Sequence, residues 1–235
     1  MRRHAFTLIE LLVVVAILAM LVSILLPTMS AARETGRQSA CLANLRSIAL
    51  GVQLYTQQSN DWLPAAEPPL REFPDERHWF MNADLMRQLV VDVRINEDGE
   101  PIGPPKARSI LTCPSHVAPD RWRDETPLAY SLSFAANGTW GMGGRPDHLE
   151  QRRLIEFDRT AEVLAFSDAC GTALAPGIVL YQGCPRDNFA FRHADRTDAA
   201  FLDGHAAPVR QGDIPFGMNR RYESFWSARP PPSAE

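Results

Sequence analysis

The sequence has almost no lysine and no cluster of basic residues. Lys106 is the single lysine among 24 lysines and arginines, and the formal net charge is −4 at pH 7. Proteins that bind nucleic acid neutralise its phosphates with a basic patch or stripe. This sequence offers no such patch, so we exclude nucleic acid as the main partner.

A second long hydrophobic run is also missing. The first run, from Phe6 to Leu26, is 21 residues long and carries one charge, Glu10. As a helix it would measure roughly 30 Å, which matches the hydrocarbon core of a bilayer. Residues 1–5 are basic and hold their end in the cytoplasm. We expect a single-pass protein of the cytoplasmic membrane, with its N terminus cytoplasmic before processing and its bulk extracytoplasmic. The alternative is a secretory signal cleaved after Ser30-Ala31-Ala32, which would release the protein.

Cysteine is scarce, and the sequence does not decide which cysteines pair in disulfides. Cys41, Cys113, Cys170 and Cys184 allow three pairings, and an extracytoplasmic location favours disulfides. Cys170 and Cys184 would close a loop of modest length, so they form the candidate disulfide. Two buried thiols are the alternative.

Helical spacing continues beyond the hydrophobic run. Pro27 interrupts the run but need not end the helix, although Thr28 or Ser30 could cap a fresh one. Apolar residues then recur every three or four positions, at Cys41, Leu45, Ile48, Val52 and Tyr55. The sequence therefore predicts a membrane helix over residues 6–27 and an amphipathic half over 28–60, together roughly 75 Å long.

The remainder predicts a β-rich head over residues 61–220 and a disordered tail over 221–235. Asn82 could cap a short helix that carries Leu85, Met86 and Leu89. Short apolar runs bounded by turn residues predict strands: Leu128–Phe134, Val163–Ser167, Ile178–Gln182, Phe189–His193, Ala199–Asp203 and Ala206–Arg210. The fold class is α+β, with a long N-terminal helix packed on a C-terminal antiparallel head.

The residues A-F-T-L-I-E, behind a basic leader and before the apolar run, resemble the prepilin signal of type IV pilins and type II secretion pseudopilins. The resemblance implies cleavage by prepilin peptidase between Ala5 and Phe6 and methylation of the new amine. Ala5 departs from the glycine that this family usually has there. Glu10 would pair with the Phe6 amine of a neighbouring subunit during assembly, since a carboxylate in lipid needs a partner.

A second resemblance lies near the other end of the chain. His193 is followed by nine residues and then Asp203-Gly204, which resembles the "H-X9-DG" motif of a large bacterial set of prepilin-like proteins. Those proteins commonly also carry segments like Asn44-Leu45-Arg46 and Cys113-Pro114-Ser115. The resemblance thus touches both ends and two places between them.

The role of the head residues has several interpretations. We expect His193, Asp203 and Gly204 to be structural, with hydrogen bonds that fix the register of a meander. A metal or catalytic site would use Asp168, His193, Asp203 and His205, with zinc or calcium as the ion. The ligand spacing is too sparse for either ion, so we predict no cofactor, with calcium as the alternative.

Together these features predict a structural subunit and not an enzyme. The subunit would polymerise through its N-terminal helix with other pilin-like subunits, on the inner-membrane platform of a secretion or pilus machine. One alternative is a membrane-tethered binding domain that does not polymerise. Another is a periplasmic metalloenzyme at His193, Asp203 and His205.

Overall fold

The computed structural model describes residues 8–64, 79, 82–89, 94–95, 101–102, 110–116, 134–137, 152–169, 179–180, 189–214 and 225. The predicted cleavage position at Ala5 and Phe6 lies outside these residues. So do Cys170 and Cys184, the predicted strand residues 128–133, and all of the predicted tail except residue 225.

One continuous helix, α1 (Leu8–Gln58), forms the N-terminal part, and Pro27 lies inside it. The hydroxyls that could have capped a fresh helix instead donate back along this one, Thr28 to the Leu25 carbonyl at 2.8 Å and Ser30 to the Pro27 carbonyl at 2.7 Å. The helix therefore continues through the proline, although Pro27 has no N–H to donate to a backbone hydrogen bond. The prediction of a single rod is confirmed.

The helix ends in a left-handed turn. Asn60 and Asp61 have φ values of +52° and +66°, and the Asp61 N–H donates to the Thr56 carbonyl at 2.9 Å. Such a turn satisfies carbonyls that the last helical turn leaves without partners, and asparagine and aspartate tolerate it better than most residues.

The two halves of α1 have different surroundings. From Leu8 to Leu26 its large apolar side chains are all exposed, and this segment is long and apolar enough to cross a membrane. Farther along, the predicted stripe is buried at Cys41, Leu45, Ile48 and Val52. The amphipathic half packs on the head, as the spacing predicts.

A short helix, α2 (Ala83–Gln88), packs against the end of α1. The Asn82 side chain accepts a hydrogen bond from the Leu85 N–H at 3.0 Å, which confirms the predicted cap. Gly51 of α1 permits the close approach, because a Cβ there would overlap the Leu89 side chain.

Among its described residues, the head contains two sheets. The first is the pair β1 (Arg94–Ile95) and β2 (Pro101–Ile102). The second has five strands in the order β5-β3-β4-β6-β7. Its strands are β3 (Phe134–Asn137), β4 (Leu164–Asp168), β5 (Val179–Leu180), β6 (Arg196–Phe201) and β7 (Ala206–Arg210).

Pairing in the larger sheet is antiparallel from β3 to β7, and β5 joins β3 in parallel. The bounds of β7 coincide with the prediction. The predicted strand Phe189–His193 is wrong: within it, Phe189 and His193 form isolated bridges only. His193 instead begins a two-residue turn to β6, since Ala194 and Asp195 both have positive φ, as a type I′ turn requires.

Both faces of the larger sheet are covered, and β4 is buried along its whole length. One face lies under α1 and includes Phe166, whose ring meets Trp79 edge to face at 4.9 Å between centroids. The other face packs Leu164, Phe189 and Phe201 in a second apolar cluster. The sheet is therefore the middle layer of the head, and α1 contacts β4, β6 and β7.

Candidate functional site

A cluster of four ionisable side chains lies between α1 and the sheet. Their ligand atoms all lie within 4.8 Å of one another, and all four side chains are buried. We call it the buried cluster: Cys41, Cys113, Asp168 and His193.

Each member comes from a different segment of the chain. Cys41 lies on the buried stripe of α1, and Cys113 lies in the segment 110–116. Asp168 is the last residue of β4, and His193 is the residue before the turn into β6. The cluster therefore depends on the docking of α1 against the sheet.

Both ring nitrogens of His193 are engaged. Nδ1 lies 2.7 Å from Glu34 Oε1, and Nε2 lies 3.1 Å from Cys113 Sγ. Burial acts to lower the pKa of His193, but the hydrogen bonds to Glu34 and Cys113 outweigh it and raise the pKa. Because a carboxylate only accepts hydrogen bonds, Glu34 fixes the proton on Nδ1, and a neutral ring then presents a lone pair at Nε2.

The two thiols have opposite acidities. The hydrogen bond that Cys41 donates to Cys113 lowers the pKa of Cys113 to about 6. The same bond, together with burial, raises the pKa of Cys41. Both residues are thiols, not a disulfide, in this structure. The pair thus contains one acidic thiol and one that is hard to ionise without a cation.

Asp168 is fully buried and only half satisfied. Its Oδ1 pairs with the Arg192 guanidinium, whereas its Oδ2 has no hydrogen-bond partner in the described part of the chain. Burial raises the pKa of Asp168 to about 8, against the opposing effect of Arg192. Its backbone carbonyl accepts from the Thr197 hydroxyl at 3.0 Å, which fixes the end of β4 against β6.

A second buried carboxylate, Asp198, borders the cluster. Gln38 of α1 donates to its Oδ1 at 3.3 Å, and its Oδ2 lies 3.6 Å from His193 Nε2. Burial raises the pKa of Asp198. Asp198 is not one of the four residues of the buried cluster.

The sequence segments singled out by resemblance meet at this interface. The Asn44 amide donates to the Thr112 carbonyl at 3.1 Å, next to Cys113. The Ser115 hydroxyl donates to Glu34 Oε1 at 3.2 Å. The Asn-Leu-Arg and Cys-Pro-Ser segments thus both join α1 to the loop that carries Cys113.

Asp203 and Gly204 lie at the other end of β6. Asp203 Oδ1 accepts a hydrogen bond from the His205 backbone N–H at 3.0 Å and lies 2.5 Å from His205 Nδ1. The His205 side chain is 43% exposed. Gln53 of α1 donates to the Leu202 carbonyl at 3.3 Å in the same turn. His193 and this turn therefore contact α1 at Glu34 and Gln53, which are about five turns, or roughly 28 Å, apart.

The structure thus divides the sequence-predicted candidates into two groups. Asp168 and His193 belong to the buried cluster, and Asp203 and His205 form an exposed pair that does not join it. Sequence reasoning missed Cys41 and Cys113 as members, because Cys41 reads as one more apolar residue of the helix stripe. Cys113 carried a signal, since it begins the Cys-Pro-Ser segment.

Comparison with known families finds a match at the N terminus. The family model for the prokaryotic N-terminal methylation motif matches residues 1–26. The N terminus is a prepilin-type signal. No curated protein and no solved structure matches the chain. The motif implies processing by prepilin peptidase, and together with the long apolar helix it supports membrane association and a pilin-like N-terminal helix.

Proposed function

We propose that the chain is a structural pilin or pseudopilin subunit that polymerises through α1 on a secretion or pilus machine. In this proposal prepilin peptidase cuts between Ala5 and Phe6, the new amine is methylated, and the head lies on the extracytoplasmic side. The role is mechanical, without catalysis. The H-X9-DG residues would hold the head on its rod.

The observation that carries the proposal is the continuity of α1. The methylation motif of residues 1–26 runs into a helix of 51 residues whose first half exposes apolar side chains all round. The second half of the same helix buries one stripe of side chains against the head. A subunit held by lipid, and later by neighbouring subunits, needs an exposed apolar half joined without a break to its head.

Mass spectrometry of the mature N terminus tests the proposal. We expect a chain that begins at methylated Phe6 when the protein is purified from membranes of cells with prepilin peptidase. In cells without the peptidase, the leader of residues 1–5 should remain. An N terminus at Arg33, after Ser30-Ala31-Ala32, would show an ordinary signal peptide and contradict the proposal.

A further inference from the structure

We propose that the buried cluster binds one zinc ion, which fastens the long helix to the head. The inference goes beyond the filament role and does not depend on it. It rests on the chemistry of the four donors, their geometry and the residues that support them.

The donor set suits zinc better than other common ions. Zinc is held by cysteine sulfur, histidine nitrogen and carboxylate oxygen, and the cluster supplies two, one and one of these. Calcium and magnesium take oxygen ligands, and two thiolates disfavour them. Calcium, which the sequence analysis kept as the alternative ion, is therefore not the ion that this donor set favours.

The spacing of the donors fits a closed tetrahedral site. Zinc lies about 2.3 Å from sulfur and about 2.0–2.2 Å from nitrogen or oxygen, so its four ligand atoms lie roughly 3.3–3.8 Å apart. The cluster's ligand atoms lie within 4.8 Å of one another, and His193 Nε2 is already 3.1 Å from Cys113 Sγ. Shifts of about 1.5 Å or less in these distances, including a slight lengthening between Nε2 and Sγ, would bring the set to the tetrahedral spacing.

The surrounding residues orient the donors. Metal-binding histidines usually give their second N–H to a carboxylate or carbonyl, and Glu34 accepts at Nδ1, which leaves Nε2 for the ion. Arg192 holds Asp168 through Oδ1, so the buried Oδ2 without a hydrogen-bond partner faces no competing donor among the described residues. A zinc ion would satisfy that oxygen.

The charges also balance. Binding would release to solvent the protons that Cys41, Cys113 and Asp168 still carry, leaving two thiolates and the Asp168 carboxylate around Zn²⁺. Their single net negative charge is offset by the Arg192 guanidinium, which contacts Asp168. Since all four positions are filled by buried side chains, the site is structural, without an open position for substrate.

The competing state is a Cys41–Cys113 disulfide, because the head is expected in an oxidising compartment. Zinc and the disulfide exclude each other, since a metal-bound thiolate is not available for oxidation. The two states make opposite predictions for metal content and for the free thiols.

The experiment uses the full chain, extracted from membranes with mild detergent and purified without a polyhistidine tag. Metal analysis should give one zinc per chain. Alkylation followed by peptide mapping should leave Cys41 and Cys113 unmodified until a chelator removes the ion, and should then modify both. Peptide mapping reads these two cysteines separately from Cys170 and Cys184.

Variants locate the ion. Cys113→Ser and His193→Gln should each lose the zinc. His205→Gln is the matched control, because it alters an exposed histidine that also has a carboxylate partner but lies outside the cluster. Glu34→Gln should keep the stoichiometry and weaken zinc binding by about 10–100-fold in chelator competition, as for other residues that orient a ligand.

Cobalt provides a readout that does not depend on variant folding. The wild-type chain reloaded with Co²⁺ should show thiolate-to-cobalt charge transfer and the absorption of a tetrahedral ion. Wild-type protein without zinc, a mapped Cys41–Cys113 disulfide, or zinc retained in both Cys113→Ser and His193→Gln would each overturn the proposal. None of these results would affect the N-terminal processing test.

Discussion

At the residue scale, Gly204 shows why the turn after β6 requires a glycine. Its φ is +92°, a conformation that side chains disfavour, and a Cβ there would lie 3.0 Å from the Gln53 amide nitrogen. Asp203 fixes the same turn by accepting the His205 N–H. The turn therefore combines backbone freedom with close contact to α1.

We predict that Gly204→Ala destabilises the head by about 1–3 kcal/mol, since it adds backbone strain and crowds Gln53. Urea unfolding of the full chain in detergent, followed by tryptophan fluorescence, measures this change. Gly212→Ala is the control, because a Cβ at that exposed glycine meets nothing within 4 Å. Equal stability of the two variants would show that the turn does not press on the helix.

At the element scale, α1 contains two glycines with opposite surroundings. Gly36 is exposed, and a Cβ there would have open space. Gly51 is buried, and a Cβ there would overlap Leu89 beside α2. In a helix interior, alanine is more favourable than glycine by about 1 kcal/mol. This gain is the same at both sites, so a difference in stability between the two variants reports packing.

We predict that Gly36→Ala raises the free energy of unfolding by up to about 1 kcal/mol. Gly51→Ala should instead lower it by about 1–3 kcal/mol, because overpacking displaces Leu89. Parallel urea titrations of both variants measure the difference. A stabilised Gly51→Ala variant would mean that α2 gives way without loss, and that its packing on α1 is loose.

At the scale of the whole molecule, α1 connects two environments. Its first half suits a bilayer, and its second half contributes to the core of the head. Glu10 is the one charge in the apolar run. If it serves assembly, its removal should separate anchoring from polymerisation.

We predict that Glu10→Leu inserts at least as well as the parent, because it removes a charge from the span. The variant should be cleaved and accumulate in membranes, but its oligomer ladder after cross-linking should be lost, since a neighbour's Phe6 amine lacks its counter-charge. Ser23→Leu, which also makes the span more apolar but keeps the carboxylate, should assemble normally. An unchanged ladder from Glu10→Leu would show that another subunit is not the partner of this glutamate.

Much of the fold could be predicted because its signals are local. The buried stripe at Leu45, Ile48 and Val52 follows from helical spacing, and the Asn82 cap from its side-chain chemistry. The wrong prediction of a strand at Phe189–His193 also came from a local signal. Alternation of aromatic residues favours a strand, but pairing is decided by a neighbour, and here the chain makes only isolated bridges.

The sequence by itself determined the N-terminal signal and the division of the N-terminal rod into an apolar half and an amphipathic half. Each depends on residues a few positions apart. Only the tertiary structure decided which side chains share the buried cluster. His193 meets Cys113 from 80 positions away and Glu34 from 159, and such pairings depend on how α1, the segment 110–116 and the sheet pack. Spacing along the chain grouped His193 with Asp203 and His205, but β6 places the Asp203 turn at its opposite end, so packing gave His193 two cysteines and Asp168 as neighbours instead.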